Sequence, residues 1–104
     1  MGDLIPKEEG EVLTRDEVTT DEPPMYRVLL LNDDYTTMDF VVLILESVFR
    51  KSPQDARQVM LSVHEKGAGV AGVYTREVAE TKIAVVHHLA AQNEFPLKCA
   101  MEPD

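Results

Sequence analysis

The sequence predicts a small α+β sandwich in which elements follow as strand, helix, helix, strand, helix, strand. Three helices would cover one face of a three-stranded sheet. Two observations carry this. Apolar residues switch between strand-like runs and helical spacing from one segment to the next. Each switch falls on a turn or cap signal: Asn32-Asp33-Asp34, Ser52-Pro53, Gly67, Thr75 and Pro96. A chain of 104 residues makes one domain.

Residues 1–24 lack periodic apolar positions and end in Asp21-Glu22-Pro23-Pro24. Many acids, few aromatics and a terminal position predict a disordered acidic extension. The proline pair cannot enter a central strand and marks the start of the folded domain, residues 25–104.

Met25 to Leu31, rich in Val and Leu, predicts the first strand. Met38, Val41, Val42, Leu45, Val48 and Phe49 stand at helical spacing and predict a helix from Met38 to Lys51. Thr36 or Thr37 would cap it, with Thr36-x-x-Asp39 as a capping box. Ser52 as cap, Pro53 at the first position and Asp55 at the third restart a helix that runs to about Lys66. Gly67 and Gly69 would end it. Val70 to Tyr74 predicts the second strand, Thr75 caps a helix from Arg76 to about Asn93, and Pro96 opens the last strand. The strands are expected to be at least partly antiparallel.

Composition excludes several functions. The formal charge of −9 argues against nucleic acid, whose phosphates need a basic stripe. Eight acidic and two basic side chains put most of that charge in residues 1–24. No apolar run is long enough to span a membrane, and the start lacks the basic-then-apolar pattern of a signal peptide. The expected location is therefore the cytoplasm. Cys99 is the one cysteine, so no internal disulfide forms, and in an alternating strand it reads as a small buried hydrophobe.

The informative stretch lies between the first strand and the first helix. Asn32, Asp33 and Asp34 place three acceptor-rich side chains at a strand end. As local structure they form Asx-turns. As a site, they present acceptors on a rigid frame. His64 shares a helix face with Met60 and is the second such residue. Locally it is a histidine near a helix C-terminus or packed in the core. Beside the acidic loop it is a tunable donor or acceptor. Asn32, Asp34 and His64 would then stand against an apolar lining of Met38, Val41, Met60 and Val63. Neither an activated nucleophile nor a phosphate-binding glycine loop accompanies them. Acceptors beside an apolar pocket suit a ligand with a positive amine and an apolar side chain, as at the N-terminus of a polypeptide.

The run Leu31-Asn-Asp-Asp-Tyr-Thr-x-Met-Asp-Phe40 resembles the ClpS family. So do Val63-His64-x-x-Gly67, Gly72-Val-Tyr-Thr75, Glu77-Val-Ala-Glu-Thr-Lys82 and Pro96-Leu97. The resemblance covers residues 25–102. It implies an adaptor, not an enzyme, without cofactor or metal, that selects N-degron substrates for the ClpA–ClpP protease. It further implies that Asn32, Asp34 and His64 receive the substrate's α-amino group and that Thr36 contacts the first peptide unit. Met38, Val41, Met60, Val63 and Leu97 would line the pocket for N-terminal Leu, Phe, Tyr or Trp, with Met38 as the gate against Ile and Val. Glu77, Glu80 and Lys82 resemble the patch that docks on the N-terminal domain of ClpA, and the extension is the segment used in delivery. Thr37 stands where the family usually has proline, which loosens the entry to the helix.

Three rivals remain open at this point: a divalent-cation site at Asn32, Asp33 and Asp34, which lacks EF-hand spacing, an interaction module resembling the ribosomal stalk protein's C-terminal domain, and, more distantly, a hydrolase. The adjacent His87 and His88 point about 100 degrees apart on a helix and rarely share a metal.

Overall fold

The architecture is that of a computed structural model, which describes residues 22–104. The extension predicted for residues 1–24 therefore lies, apart from its last three residues, outside the described residues. The elements are β1 (Met25–Leu31), α1 (Met38–Ser47), α2 (Pro53–Lys66), β2 (Ala68–Thr75), α3 (Arg76–Gln92) and β3 (Lys98–Pro103). The order is the one the sequence predicts. The sheet runs β2-β1-β3 with both pairings antiparallel, so the first strand is the central one.

β1 pairs along both edges and buries one face, at Val28 and Leu30. Val28 and Leu30 are fully buried under the helices, with Ile44, Leu45 and Val86 packed above them. Complete burial of a Val, Leu or Ile side chain contributes about 1.5–3 kcal/mol, so these five residues form the energetic centre of the fold. α3 lies across all three strands, whereas α2 packs on β2 and against α1. Between Val28 and Leu29 the register with β2 shifts, leaving Ala71 as the extra residue of a bulge.

α1 is shorter than predicted. It ends at Ser47, and Arg50 takes a left-handed φ of 57° while the Lys51 N–H folds back onto the Leu45 carbonyl at 3.0 Å. Val48 and Phe49 prolong the helical spacing in the sequence because both are buried, but they are buried from a turn. Lys82 closes this turn from α3, donating to the Val48 carbonyl at 2.9 Å with its ammonium 5.2 Å from the Tyr74 ring centre.

α2 behaves as its caps predict. Ser52 accepts the Asp55 N–H at 3.1 Å, Pro53 opens the helix, and Gly67 ends it at φ 89°. Gly69 does not end the helix; it belongs to β2. A Cβ there would stand 2.9 Å from both the Val59 carbonyl oxygen and Val63 Cγ2, so its missing side chain is what lets β2 lie against α2. β2 accordingly starts before the predicted Val70, and β3 starts at Lys98 rather than Pro96. Thr75 occupies the cap position of α3 without a side-chain cap bond.

Candidate functional site

The loop between β1 and α1 is built by Asp33. Its Oδ1 accepts the N–H groups of Tyr35 and Thr36 at 2.8 and 2.7 Å, and its Oδ2 accepts the Thr36 hydroxyl at 2.7 Å. Burial pushes the Asp33 carboxyl up, but these bonds and the charge of Lys98 outweigh it and hold the group below the ordinary carboxylate value. The helix that follows is capped by Thr37, which accepts the Phe40 N–H at 3.1 Å. The capping box expected from Thr36 does not form, because the Thr36 hydroxyl already belongs to Asp33.

With Asp33 engaged internally, its two neighbours are the acceptors left over. The side chains of Asn32 and Asp34 are exposed, as is that of His64 on the last turn of α2. No hydrogen bond among the described residues engages any of the three side chains. One backbone bond joins their two elements: the Asn32 N–H donates to the Gly67 carbonyl at 3.0 Å, immediately after α2.

These groups border one cavity of about 430 Å³. Its polar side is the loop from Asn32 to Thr37 together with His64. Its apolar side is Met38 and Val41 from α1, and Met60 and Val63 from α2. Val41 and Val63 are buried and form a fixed floor, while Met38 is 47% exposed at the mouth. The structure thus brings together Asn32, Asp34, Thr36, Met38, Val41, Met60, Val63 and His64 as the sequence places them. It does not bring Leu97. That residue is buried in the core at the entry to β3 and borders a separate cleft with His87 and Phe95. Leu97 stands next to Lys98, the partner of Leu31 in the sheet, but its side chain is spent in the core.

The cavity is rich in acceptors on one side and apolar on the other. The Thr36 hydroxyl and N–H are both taken, so toward a ligand Thr36 can offer only oxygen lone pairs. Thr37 is engaged as a cap. Among the described residues no group of three or more His, Cys, Asp or Glu is arranged to hold a metal ion. What remains is one amide oxygen, one carboxylate and one imidazole beside an apolar floor.

The chain matches the family model of the ATP-dependent Clp protease adaptor protein ClpS over residues 21–100. It belongs to the ClpS family. Two relatives named ATP-dependent Clp protease adapter protein ClpS show how far the likeness extends. The chain is 56% identical to that of Desulfotalea psychrophila over 98 residues, covering 94% of this chain and 96% of the relative. It is 60% identical to that of Nitratidesulfovibrio vulgaris over 92 residues, covering 88% and 90%. Among solved structures, Agrobacterium tumefaciens ClpS2 bound to L-phenylalaninamide superposes with a TM-score of 0.76 at 42% identity. That match covers 80% of this chain and the whole of the other. As a ClpS, the chain is a protease adaptor by family and not itself an enzyme.

The docking residues implied by the resemblance lie elsewhere. Glu77, Glu80 and Lys82 sit on the first two turns of α3, and none lines the cavity. Glu80 pairs with Arg76 at 3.2 Å, and Lys82 is turned inward onto Val48. Sequence reasoning left Tyr35 and Lys98 without a role. For Lys98 the signal lay in the alternation that sets an exposed residue between the buried Leu97 and Cys99; the loop residue Tyr35 had none.

No described helix is long and apolar enough to cross a membrane.

Proposed function

We propose that this ClpS captures proteins by a free N-terminal Leu, Phe, Tyr or Trp and delivers them to the ClpA–ClpP protease in the cytoplasm. The observation that carries the reading is the cavity in which Asn32, Asp34 and His64, their side chains unengaged among the described residues, border the apolar floor of Val41 and Val63. L-phenylalaninamide, the ligand of the similar Agrobacterium structure, has the matching chemistry: an α-amine, an aromatic side chain and an amide in place of a carboxylate.

In this mechanism the ammonium donates to the Asn32 amide oxygen, the Asp34 carboxylate and a ring nitrogen of His64. Each charge-assisted bond contributes about 1.5–3 kcal/mol, and blocking the amine leaves the acceptors unpaired. The first side chain adds about 1.5–3 kcal/mol by burial against Met38, Val41, Met60 and Val63. After association costs, the sum corresponds to roughly micromolar binding. The Thr36 oxygen accepts from the first peptide N–H. Glu77, Glu80 and Lys82 form the face that docks on the N-terminal domain of ClpA, and the acidic extension, residues 1–24, takes part in handing over the substrate.

Fluorescence anisotropy with one labelled peptide, varied at its first residue through Phe, Leu, Met, Val and acetylated Phe, tests the capture step. Binding of free Phe and Leu, lost on acetylation, is expected. Equal binding of all five, or of none, overturns it. Deleting residues 2–20 is expected to spare this binding and impair degradation.

A further inference from the structure

A second cavity, of about 500 Å³, lies beside the first. The two share Asn32, Asp33, Asp34 and Tyr35 as a common wall, and Leu31, Pro96 and Lys98 complete the second. No role assigned above uses it.

We propose that this second cavity is a subsite for the side chain of the residue following the captured one, and that Lys98 makes it selective for an acidic side chain. The proposal rests on the reading of the first cavity as a receptor for a free N-terminal residue. Three observations support it.

Successive side chains of an extended peptide point to opposite sides. A chain lying along the crest of the shared wall therefore drops its first side chain into one cavity and its second into the other. The wall is a single loop segment, Asn32 to Tyr35.

Charge decides what the second cavity accepts. Both Asp33 oxygens are bonded by Tyr35 and Thr36. Asp34 faces the substrate's ammonium once the first cavity is filled. Lys98 is exposed and forms no ion pair among the described residues. Among the described residues it is the one cation bordering that cavity, where its charge already acts on the Asp33 carboxylate. An acidic side chain meets it as a partner and a basic one as a like charge.

Finally, Leu31 and Pro96 give the cavity apolar surface. The methylene stem of Glu can rest there while its carboxylate reaches Lys98, which favours Glu over the shorter Asp.

The test uses the full chain and labelled peptides beginning Phe-Glu, Phe-Ala and Phe-Lys, with Lys98→Ala and Lys98→Glu as variants. Lys98 is exposed, so both variants are expected to fold. In the unmodified protein Phe-Glu should bind more tightly than Phe-Lys by roughly two- to five-fold at low salt, the scale of an exposed ion pair, with the gap closing as salt is added. Lys98→Ala should flatten the preference and Lys98→Glu reverse it, with Phe-Ala unchanged throughout. A preference that persists in Lys98→Glu, or no preference in the unmodified protein, overturns the subsite. Failure of Phe-Ala itself to bind overturns the reading of the first cavity, and this one with it.

Discussion

Thr36 gives Asp33 two hydrogen bonds, one from its backbone N–H and one from its hydroxyl, each 2.7 Å long. This pair shapes the loop before any ligand arrives. Asp33→Ala removes the acceptor of both bonds and of the Tyr35 N–H, and should cost about 1–2 kcal/mol in stability. Asp34→Ala should leave stability nearly unchanged and weaken binding of free amines. Chemical denaturation and peptide titration of the two variants separate a shaping carboxylate from a binding one.

The same pair sets an acid limit. The Asp33 carboxyl is held below its ordinary value of 3.8, so its contribution to stability is complete above that value. It is lost as pH falls through the lowered folded value. Thermal unfolding of the parent below pH 4 should therefore show a drop that Asp33→Asn flattens. An identical acid profile in the two proteins would sink this assignment.

Met38 at the mouth of the cavity predicts a change in selectivity rather than affinity alone. Met38→Ala should admit N-terminal Ile and Val while retaining Phe and Leu, because the β-branched side chains gain the room the thioether fills. The measurement is anisotropy with those four peptides. An unchanged ranking would remove the gate.

Gly69→Ala places a methyl 2.9 Å from the Val59 carbonyl and Val63 Cγ2. Backbone must then move, and overpacking of this kind costs about 1–3 kcal/mol. Because α2 also carries Met60, Val63 and His64, peptide binding should weaken together with stability. Gly67→Ala, strained by its φ of 89° but free of contacts, should cost stability without displacing the helix along its length.

Cys99 is buried, and burial pushes its thiol from 9.0 up to about 12. The folded state favours the neutral thiol. Its contribution is complete below pH 9 and is lost as pH rises through 12. A thiolate-seeking reagent at pH 8 should leave the folded protein unlabelled and react fully once denaturant is added. Rapid labelling of the folded chain would contradict the burial.

Element order was readable from the sequence because caps and periodicity agreed along most of the chain. Ser52-Pro53 opens α2 in the sequence and in the structure alike. Where the reading departs, one apolar pattern served two geometries. Val48 and Phe49 fit a helix by spacing but reach the core from a turn. Gly69 looked like a helix stop because its cause, the approach of Val59 and Val63, is tertiary. Most of the cavity was legible, since Asn32, Asp34, Met38, Val41, Met60, Val63 and His64 sit on two consecutive structural units. Leu97 is the one expected lining residue that does not border the cavity, because its side chain is buried in the core, a tertiary fact the sequence around Pro96 does not carry.

The hydrogen bond from Asn32 N–H to the Gly67 carbonyl spans the two halves of the cavity through backbone alone. Both its ends are main chain, so no single side-chain replacement deletes the donor or the acceptor, and loop and helix are expected to open as one unit. In hydrogen exchange, the Asn32 amide should exchange no faster than the last amides of α2, and ligand should slow both together. With that outcome the cavity forms and is lost as one piece, and peptide occupancy counts folded chains rather than half-formed sites.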